Sequence, residues 1–409
     1  MKRPSLRRIG ESPSLLTFFA LLLGFLIGAI VIIATTAAVL NAWRDIFNSP
    51  TAVFHALKVT FDSVGAAYRA LFVGSIGNPS SFAHSLATGQ SWTSTLTPLS
   101  ETLTYATPLV IASMGVALAF QTGIFNIGAN GQAILGGIGG AWIGSMVHAP
   151  MIIHLPLTLL AGVAGGVVGG LIPGVLKSFA GAHEVIVTLM LNYVIAFFLV
   201  YVVQSTPLQQ PGQANDISRT LDHSALLLPL FGSGSGLRVS YGVFVAAAVV
   251  AFGWWFLNRS TLGFAFRVTG ANPNAARAAG FSPKRIIILV FMISGGLAGL
   301  AGVVQLASTN YFIDGGFLIG SAGIGFTAIT VSLLGRNKPA GIVGGSLLFA
   351  ALGVGGRTMQ ARTGIPLDLA LIIQSIVVLF VASPVLVKEI FRLRASAQSV
   401  QLATKGWSQ

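Results

Sequence analysis

LLTFFALLLGFLIGAIVIIATTAAVL, residues 15–40, runs for 26 residues without a charged side chain. A helix rises 1.5 Å per residue and needs roughly 20 residues to cross the hydrocarbon layer of a bilayer. This stretch is long enough to do so. The basic residues Lys2, Arg3, Arg7 and Arg8 precede it, as in a secretory signal, and the small residues from Ala34 to Ala38 imitate a cleavage site. A signal's apolar core covers only about 7 to 15 residues, so the run is expected to remain as an uncleaved first transmembrane helix.

Outward from this stretch the pattern repeats. Further apolar runs lie at Thr102–Phe120, Ile127–Val147, Leu155–Leu176, Val185–Val203, Val239–Leu257, Ile286–Ala307, Phe317–Leu334, Ala340–Gly356 and Leu367–Val387. A spanning barrel would instead need alternating segments of about ten residues, and none is present. With 54% hydrophobic residues, 8% charged and 50 glycines, too little polar surface exists to cover soluble domains. The expected fold is an all-α integral membrane protein of about ten transmembrane helices. The chain has no cysteine, which excludes disulfides and zinc–thiolate sites.

The formal charge of +13 would suggest a nucleic-acid partner in a soluble protein. Here it sorts by membrane side, so no nucleic-acid partner is expected. With a cytoplasmic N-terminus, only Arg44, Lys58, Arg69, Arg219, Arg238, Arg357 and Arg362 fall outside, leaving sixteen of the 23 basic residues inside. That is the direction of the positive-inside bias. Both termini are therefore expected in the cytoplasm, residues 1–14 and 388–409 forming tails on a membrane domain, 15–387.

Between the first two spans, Phe54, Leu57, Phe61, Val64, Tyr68 and Leu71 recur at steps of three and four, one face of a helix. Lys58, Asp62 and Arg69 argue against an ordinary span, so residues 52–73 are expected to lie on the outer membrane surface, with Lys58 and Asp62 spaced as an i, i+4 pair. Filler and a dock for a binding protein both remain open. Glycines recur every fourth residue at Gly136, Gly140 and Gly144, at Gly162, Gly166 and Gly170, at Gly295 and Gly299, and at Gly341 and Gly345. Such stripes let helix backbones approach closely.

The longest basic cytoplasmic connection, 258–285, contains RVTGANPNAARAAGFSPKR. Asn272 can cap a helix, Pro273 suits its first position, the alanine-rich run from Ala275 to Ala279 favours it, and Gly280 can end it in a left-handed conformation. Ser282 and Pro283 repeat the device for the next span. A short, alanine-surfaced helix is suited to seating in a groove on another protein. An ordinary basic loop that only satisfies topology is the competing reading.

The sequence resembles the branched-chain amino acid, ribose and simple-sugar permease superfamily of ATP-binding-cassette (ABC) importers. The resemblance rests on Gly270, Asn272, Ala275, Ala276 and Gly280, followed by SGGLAGLAG at residues 294–302. It implies a type II importer-like permease fold and makes the loop a coupling helix, with Gly270, Asn272, Pro273, Ala275, Ala276, Arg277, Ala279 and Gly280 docking on a separate ABC ATPase subunit that holds ATP and magnesium. A second block, GVALAFQTGIFNIGANGQAILGG at 115–137, and a third, HEVIVTLMLNY at 183–193, resemble the nucleoside-type branch. That branch implies a second permease subunit, related or identical, an extracytoplasmic solute-binding protein, and a place in the bacterial cytoplasmic membrane.

The ten acidic residues fall in tails, loops or near span ends, as with Glu101, Glu184, Asp314 and Asp368. An ion-coupled carrier usually buries such groups within its spans; it is the alternative reading, a secondary transporter or facilitator for a small polar solute. No phosphate loop is present, since Lys177 and Ser178 follow Leu176 rather than glycine. The chain is thus expected to be a transport subunit without catalytic residues, cofactor or metal. His148 and His154 are taken as interfacial histidines rather than metal ligands. For the solute route, Asn126, Asn130, Gln132, Thr188 and Asn192 supply neutral hydrogen-bonding groups, which either line the path or bond helices together.

Overall fold

A computed structural model describes residues 13–45, 52–205, 207–213, 215–232, 234–318 and 323–390. The expected tails lie outside the described residues over 1–12 and 391–409, including Lys2, Arg3, Arg7, Arg8, Arg392, Arg394 and Lys405. In chain order the helices are α1 (Pro13–Thr35), α2 (Ala37–Arg44), α3 (Ala52–Ser75), α4 (Pro79–Thr88), α5 (Trp92–Gln121), α6 (Ala129–Met146), α7 (Met151–Ala180) and α8 (Glu184–Gln204). After a long connection come α9 (Gly242–Arg259), α10 (Thr261–Ala271), α11 (Pro273–Ala278), α12 (Pro283–Gln305), α13 (Ile324–Leu334), α14 (Pro339–Thr363), α15 (Asp368–Ala382) and α16 (Pro384–Ile390). Extended pairing among the described residues is confined to isolated bridges.

Among the described residues, seven helices are long and apolar enough to cross a membrane: α1, α5, α7, α8, α9, α12 and α14. Two others, α13 and α15, are apolar but shorter, and α6 is an 18-residue helix of enclosed glycine, alanine and isoleucine.

Residues 75–354 form one compact unit. Its centre is α5, most of whose apolar stretch is buried, with α9, α12 and α13 packed around it. Beside it, α6, α7 and α12 meet backbone to backbone along the glycine stripes. A Cβ at Gly166 would lie 2.1 Å from the Gly295 oxygen, and one at Gly136 2.2 Å from the Gly299 oxygen. No side chain fits there; a methyl group would force the helices apart at a cost of about 1–3 kcal/mol. Gly341 likewise abuts the Gly335 backbone.

The loops of this unit sort into two ends. At one, the Gln121 amide donates to the Asn337 carbonyl (3.4 Å) and the Ser178 hydroxyl to the Lys284 carbonyl (3.0 Å). At the other, Arg238 pairs with Glu101 (3.3 Å), and the N–H groups of Asp222, Leu227 and Ser218 donate to the carbonyls of Gly144, Ala307 and Ile313. Loops that the basic-residue distribution assigns to one side are the loops that meet.

Residues up to Gly74 and from Gly355 onward form the other unit. There the Tyr68 hydroxyl donates to the Phe25 carbonyl, and Trp43 Nε1 donates to Thr60 Oγ1 (3.0 Å). The packed face of α3 is not the aromatic one. Ala56, Thr60, Ala67, Leu71 and Gly74 are buried, whereas Phe54 and Phe61 are 83% and 73% exposed. Of the periodic apolar face only Leu71 is fully enclosed, because small residues permit closer helix contact where no water drives large side chains inward. Lys58 and Asp62 form no ion pair with each other.

The expected span 367–387 is interrupted at Ser383, before Pro384 opens α16, and three further boundaries differ from expectation for local reasons. The 15–40 run breaks at Thr36, which is extended (φ −83°, ψ 112°), after Thr35 has turned its hydroxyl back onto the Val31 carbonyl (2.7 Å). The second span begins at Trp92 rather than Thr102: polar residues mask its start in the sequence, but Thr97, Thr104 and Thr107 bond back to carbonyls of their own helix. Within the expected span 317–334 the helix described is Ile324–Leu334. Residues 311–318 are irregular, with Tyr311 and Leu318 at φ 64° and 58° and Gly315–Gly316 between them.

Candidate functional site

Two places carry the residues singled out from the sequence. The first is the capped helix α11. Ser260 opens α10 by accepting the Gly263 N–H (2.8 Å), and α10 packs inward through Gly263, Ala265, Phe266 and Thr269, with Phe266 edge-on to Phe256 at 5.2 Å. Asn272 is extended (φ −161°, ψ 108°), and its side-chain oxygen accepts from the N–H groups of Asn274 (2.9 Å) and Ala275 (3.2 Å). Pro273 fills the first helical position. Gly280, at φ +83°, closes the helix, while the Phe281 N–H reaches back to the Ala276 carbonyl (2.9 Å). The next start differs in part: Pro283 opens α12, but the Ser282 side chain makes no capping bond.

Of the eight residues assigned to docking, Gly270, Asn272, Pro273, Ala275, Arg277, Ala279 and Gly280 are exposed. Ala276 is the exception. It is fully buried beneath α11 and anchors the helix instead of meeting a partner. Gly270 also serves packing, since a Cβ there would lie 2.6 Å from the Gln121 carbonyl oxygen. Asn274 belongs to the same surface, its side chain accepting from Arg277 (3.0 Å); nothing in its neighbourhood in the sequence distinguishes it. Below the helix, Phe281 packs on a cluster containing Leu118, Ile124, Phe256, Phe266 and Phe291. A small smooth cap thus stands on an aromatic root shared by α5, α9, α10 and α12.

The second place is the break between α5 and α6. Residues 122–128 are non-helical, yet Ile124, Asn126 and Gly128 are buried. Buried irregular backbone must have its polar groups satisfied by protein. Asn126 does this: its amide donates to Gln132 (2.8 Å) and to Ser294 (2.8 Å), and its oxygen accepts from the Gly128 N–H (3.1 Å) and the Gln132 amide (3.2 Å). Asn192 on α8 accepts from the Gly131 N–H (2.8 Å) and donates to the Ile127 carbonyl (3.0 Å). Thr188, one turn earlier, bonds to the Glu184 carbonyl (2.7 Å). Asn130 reaches the other irregular segment, donating to the Leu318 carbonyl (3.0 Å) and accepting from the Gly325 N–H (3.3 Å).

All five residues proposed for the solute route therefore gather at one node. Asn126, Gln132 and Thr188 are fully buried, whereas Asn130 and Asn192 retain partial exposure. Every hydrogen-bonding position of Asn126 is filled by protein. The partner not singled out in advance is Ser294, which stands in the quoted SGGLAGLAG stretch; only the folded chain brings it 168 residues back to Asn126. His154 also differs from expectation. It is fully buried and bonded to Ser224 (2.7 Å) and the Ile143 carbonyl (3.1 Å), so it ties α7 to the end of α6 and to the connection before α9, and it is not interfacial.

A family model described as branched-chain amino acid transport system / permease component matches residues 99–382, a range containing both places. The chain is 34% identical over 285 residues to the guanosine ABC transporter permease protein NupP of Bacillus subtilis, covering 69% of this chain and 80% of that protein. It is 29% identical over 404 residues to the nucleoside ABC transporter permease protein NupB of Lactococcus lactis, covering 96% of each. It is also 34% identical over 289 residues to the glucose ABC transporter permease protein TsgB13 of Haloferax volcanii, covering 69% and 75%. No solved structure matches the chain.

Proposed function

The chain belongs to the family of branched-chain amino acid transport system permease components, and from that membership we propose that it moves a nucleoside or a simple sugar into the cytoplasm as one permease subunit of an ABC importer. The relatives' named solutes, guanosine, nucleosides and glucose, are neutral and hydroxyl-rich. The node offers matching chemistry, amides and a hydroxyl without a charge. In this reading Asn130 and Asn192, the two that are partly exposed, line the route, and Asn126, Gln132 and Thr188 hold its wall.

The observation that carries the proposal is α11, a capped helix whose exposed alanines stand on a root joining four helices. A motor seated on α11 can push on α5, α9 and α12 together, the rigid coupling that alternating access needs. The motor is a separate ATPase carrying ATP and magnesium. A second permease chain and an extracytoplasmic binding protein complete the assembly.

Ten membrane passes follow if α6, α13 and α15 cross with their neighbours, placing both termini, α11 and 335–338 in the cytoplasm. Residues 52–73 then lie at the outer surface. The absence of cysteine makes sidedness directly testable: Ala275→Cys should label only from the cytoplasmic side and Gln213→Cys only from outside. Docking is tested by Ala275→Trp with Ala279→Trp in the co-expressed complex. Loss of ATPase co-purification with normal membrane insertion is expected, and undiminished co-purification rejects α11 as the seat. Uptake by the permease alone, driven by a cation gradient, would reject the motor altogether.

A further inference from the structure

A cavity of about 570 Å³ runs between α5, α9 and α14, lined by Leu103, Val110, Ala247, Ala251, Trp254 and Val343 among other apolar residues. Along α9 it extends from Val243 to Trp254, eleven residues or roughly 16 Å at the helical rise. That is about the depth of one leaflet, half of a hydrocarbon layer roughly 30 Å thick. Its walls are almost wholly apolar, with Thr107 turning its hydroxyl back onto the Leu103 carbonyl (2.8 Å). Water gains nothing in such a groove, and an open groove at hydrocarbon depth does not stay empty.

The inner mouth has a different character. Pro339 and Ala340 line the groove there, and the preceding residue, Lys338, is exposed and forms no ion pair among the described residues. Trp254 and Trp255 are about half exposed, at the level where aromatic side chains meet headgroups. Arg259 ends α9 a little more than one turn later, also exposed. No carboxylate occurs between Asp222 and Asp314 or between Asp314 and Asp368, so neither segment meeting at this mouth supplies a counter-charge.

We propose that this groove holds one acyl chain of an anionic phospholipid from the cytoplasmic leaflet, its headgroup phosphate resting against Lys338. The acyl chain matches the apolar walls and length, and the phosphate supplies the anion that the protein does not. The assignment of leaflet rests on the sidedness proposed above; occupancy of the groove does not. A lipid so placed would fill the space between α14 and α9 and set how freely α9, which leads into α10 and α11, moves against its neighbour.

The test is lipid counting by native mass spectrometry on the full complex purified in mild detergent from membranes containing phosphatidylglycerol and phosphatidylethanolamine. The wild type should retain phospholipid with phosphatidylglycerol enriched. Ala247→Phe with Ala251→Phe fills the groove from two exposed positions and should abolish that retention while leaving the complex assembled. Lys338→Gln should keep lipid but lower the preference for phosphatidylglycerol about fivefold, the effect of one cation at an anionic headgroup. Unchanged retention in the filled variant, or a protein cross-linked to Ala251→Cys, overturns the site; an unchanged preference in Lys338→Gln overturns the headgroup contact. Cysteine labelling of Lys338→Cys from the outer side alone would refute the leaflet while leaving the groove's lipid in place.

Discussion

The capped helix α11 and the polar node at the α5–α6 break use the same residue types, asparagine and small side chains, in opposite ways. At α11 the asparagine bond is local: Asn272 caps residues two and three positions ahead, leaving an exposed surface of small side chains beside Arg277. At the node the bonds are long-range: Asn126 joins Ser294, Asn192 joins the α5–α6 break, and Asn130 joins the segment before α13. Local bonding leaves a face free for a partner, whereas long-range bonding fixes helices to one another. The contrast predicts that substitutions in the two regions separate coupling from stability.

The largest effect should come from the knob. Ala275→Trp with Ala279→Trp should lower uptake by about tenfold or more, since overpacking a seated contact costs more than about 1.4 kcal/mol. Its thermal unfolding midpoint in detergent should remain that of the wild type, because both positions are exposed. A lowered midpoint would erase the contrast. Asn126→Leu should do the reverse, losing about 3 kcal/mol by leaving Gln132, Ser294 and the Gly128 N–H short of partners, with the midpoint falling before any change in ATPase co-purification.

Asn272→Ala should cost about 1 kcal/mol of local helix stability, read as faster hydrogen exchange confined to residues 274–277. Asn272→Asp should restore protection, because a carboxylate caps as well as an amide. The smallest effect belongs to Thr188→Val, below about 0.6 kcal/mol, since its hydroxyl bonds only within α8. A large loss of uptake there, with stability unchanged, would move Thr188 from the wall of the route to its surface.

The ends of α11 were legible because capping is a contest among neighbouring residues: Asn272, Pro273 and Gly280 act within two turns. The burial of Ala276 was not, since Ala275, Ala276 and Ala279 are alike until the helix is set on Phe281 and its cluster. On α3 the periodicity located the apolar face but not which residues pack against protein: Phe54 and Phe61 stay exposed, while Ala56 and Ala67 are buried.

By itself the sequence determined that this is a multi-helix membrane chain, where its apolar runs lie, and where its short capped helix begins and ends, because length, hydropathy and capping depend on residues close together in the chain. Tertiary structure alone decided that Asn126, Gln132 and Ser294 are one network and that Asn130 ties this node to the segment before α13. Buried backbone that leaves the helix is satisfied by groups brought from elsewhere in the chain, and hydropathy carries no record of which groups those are.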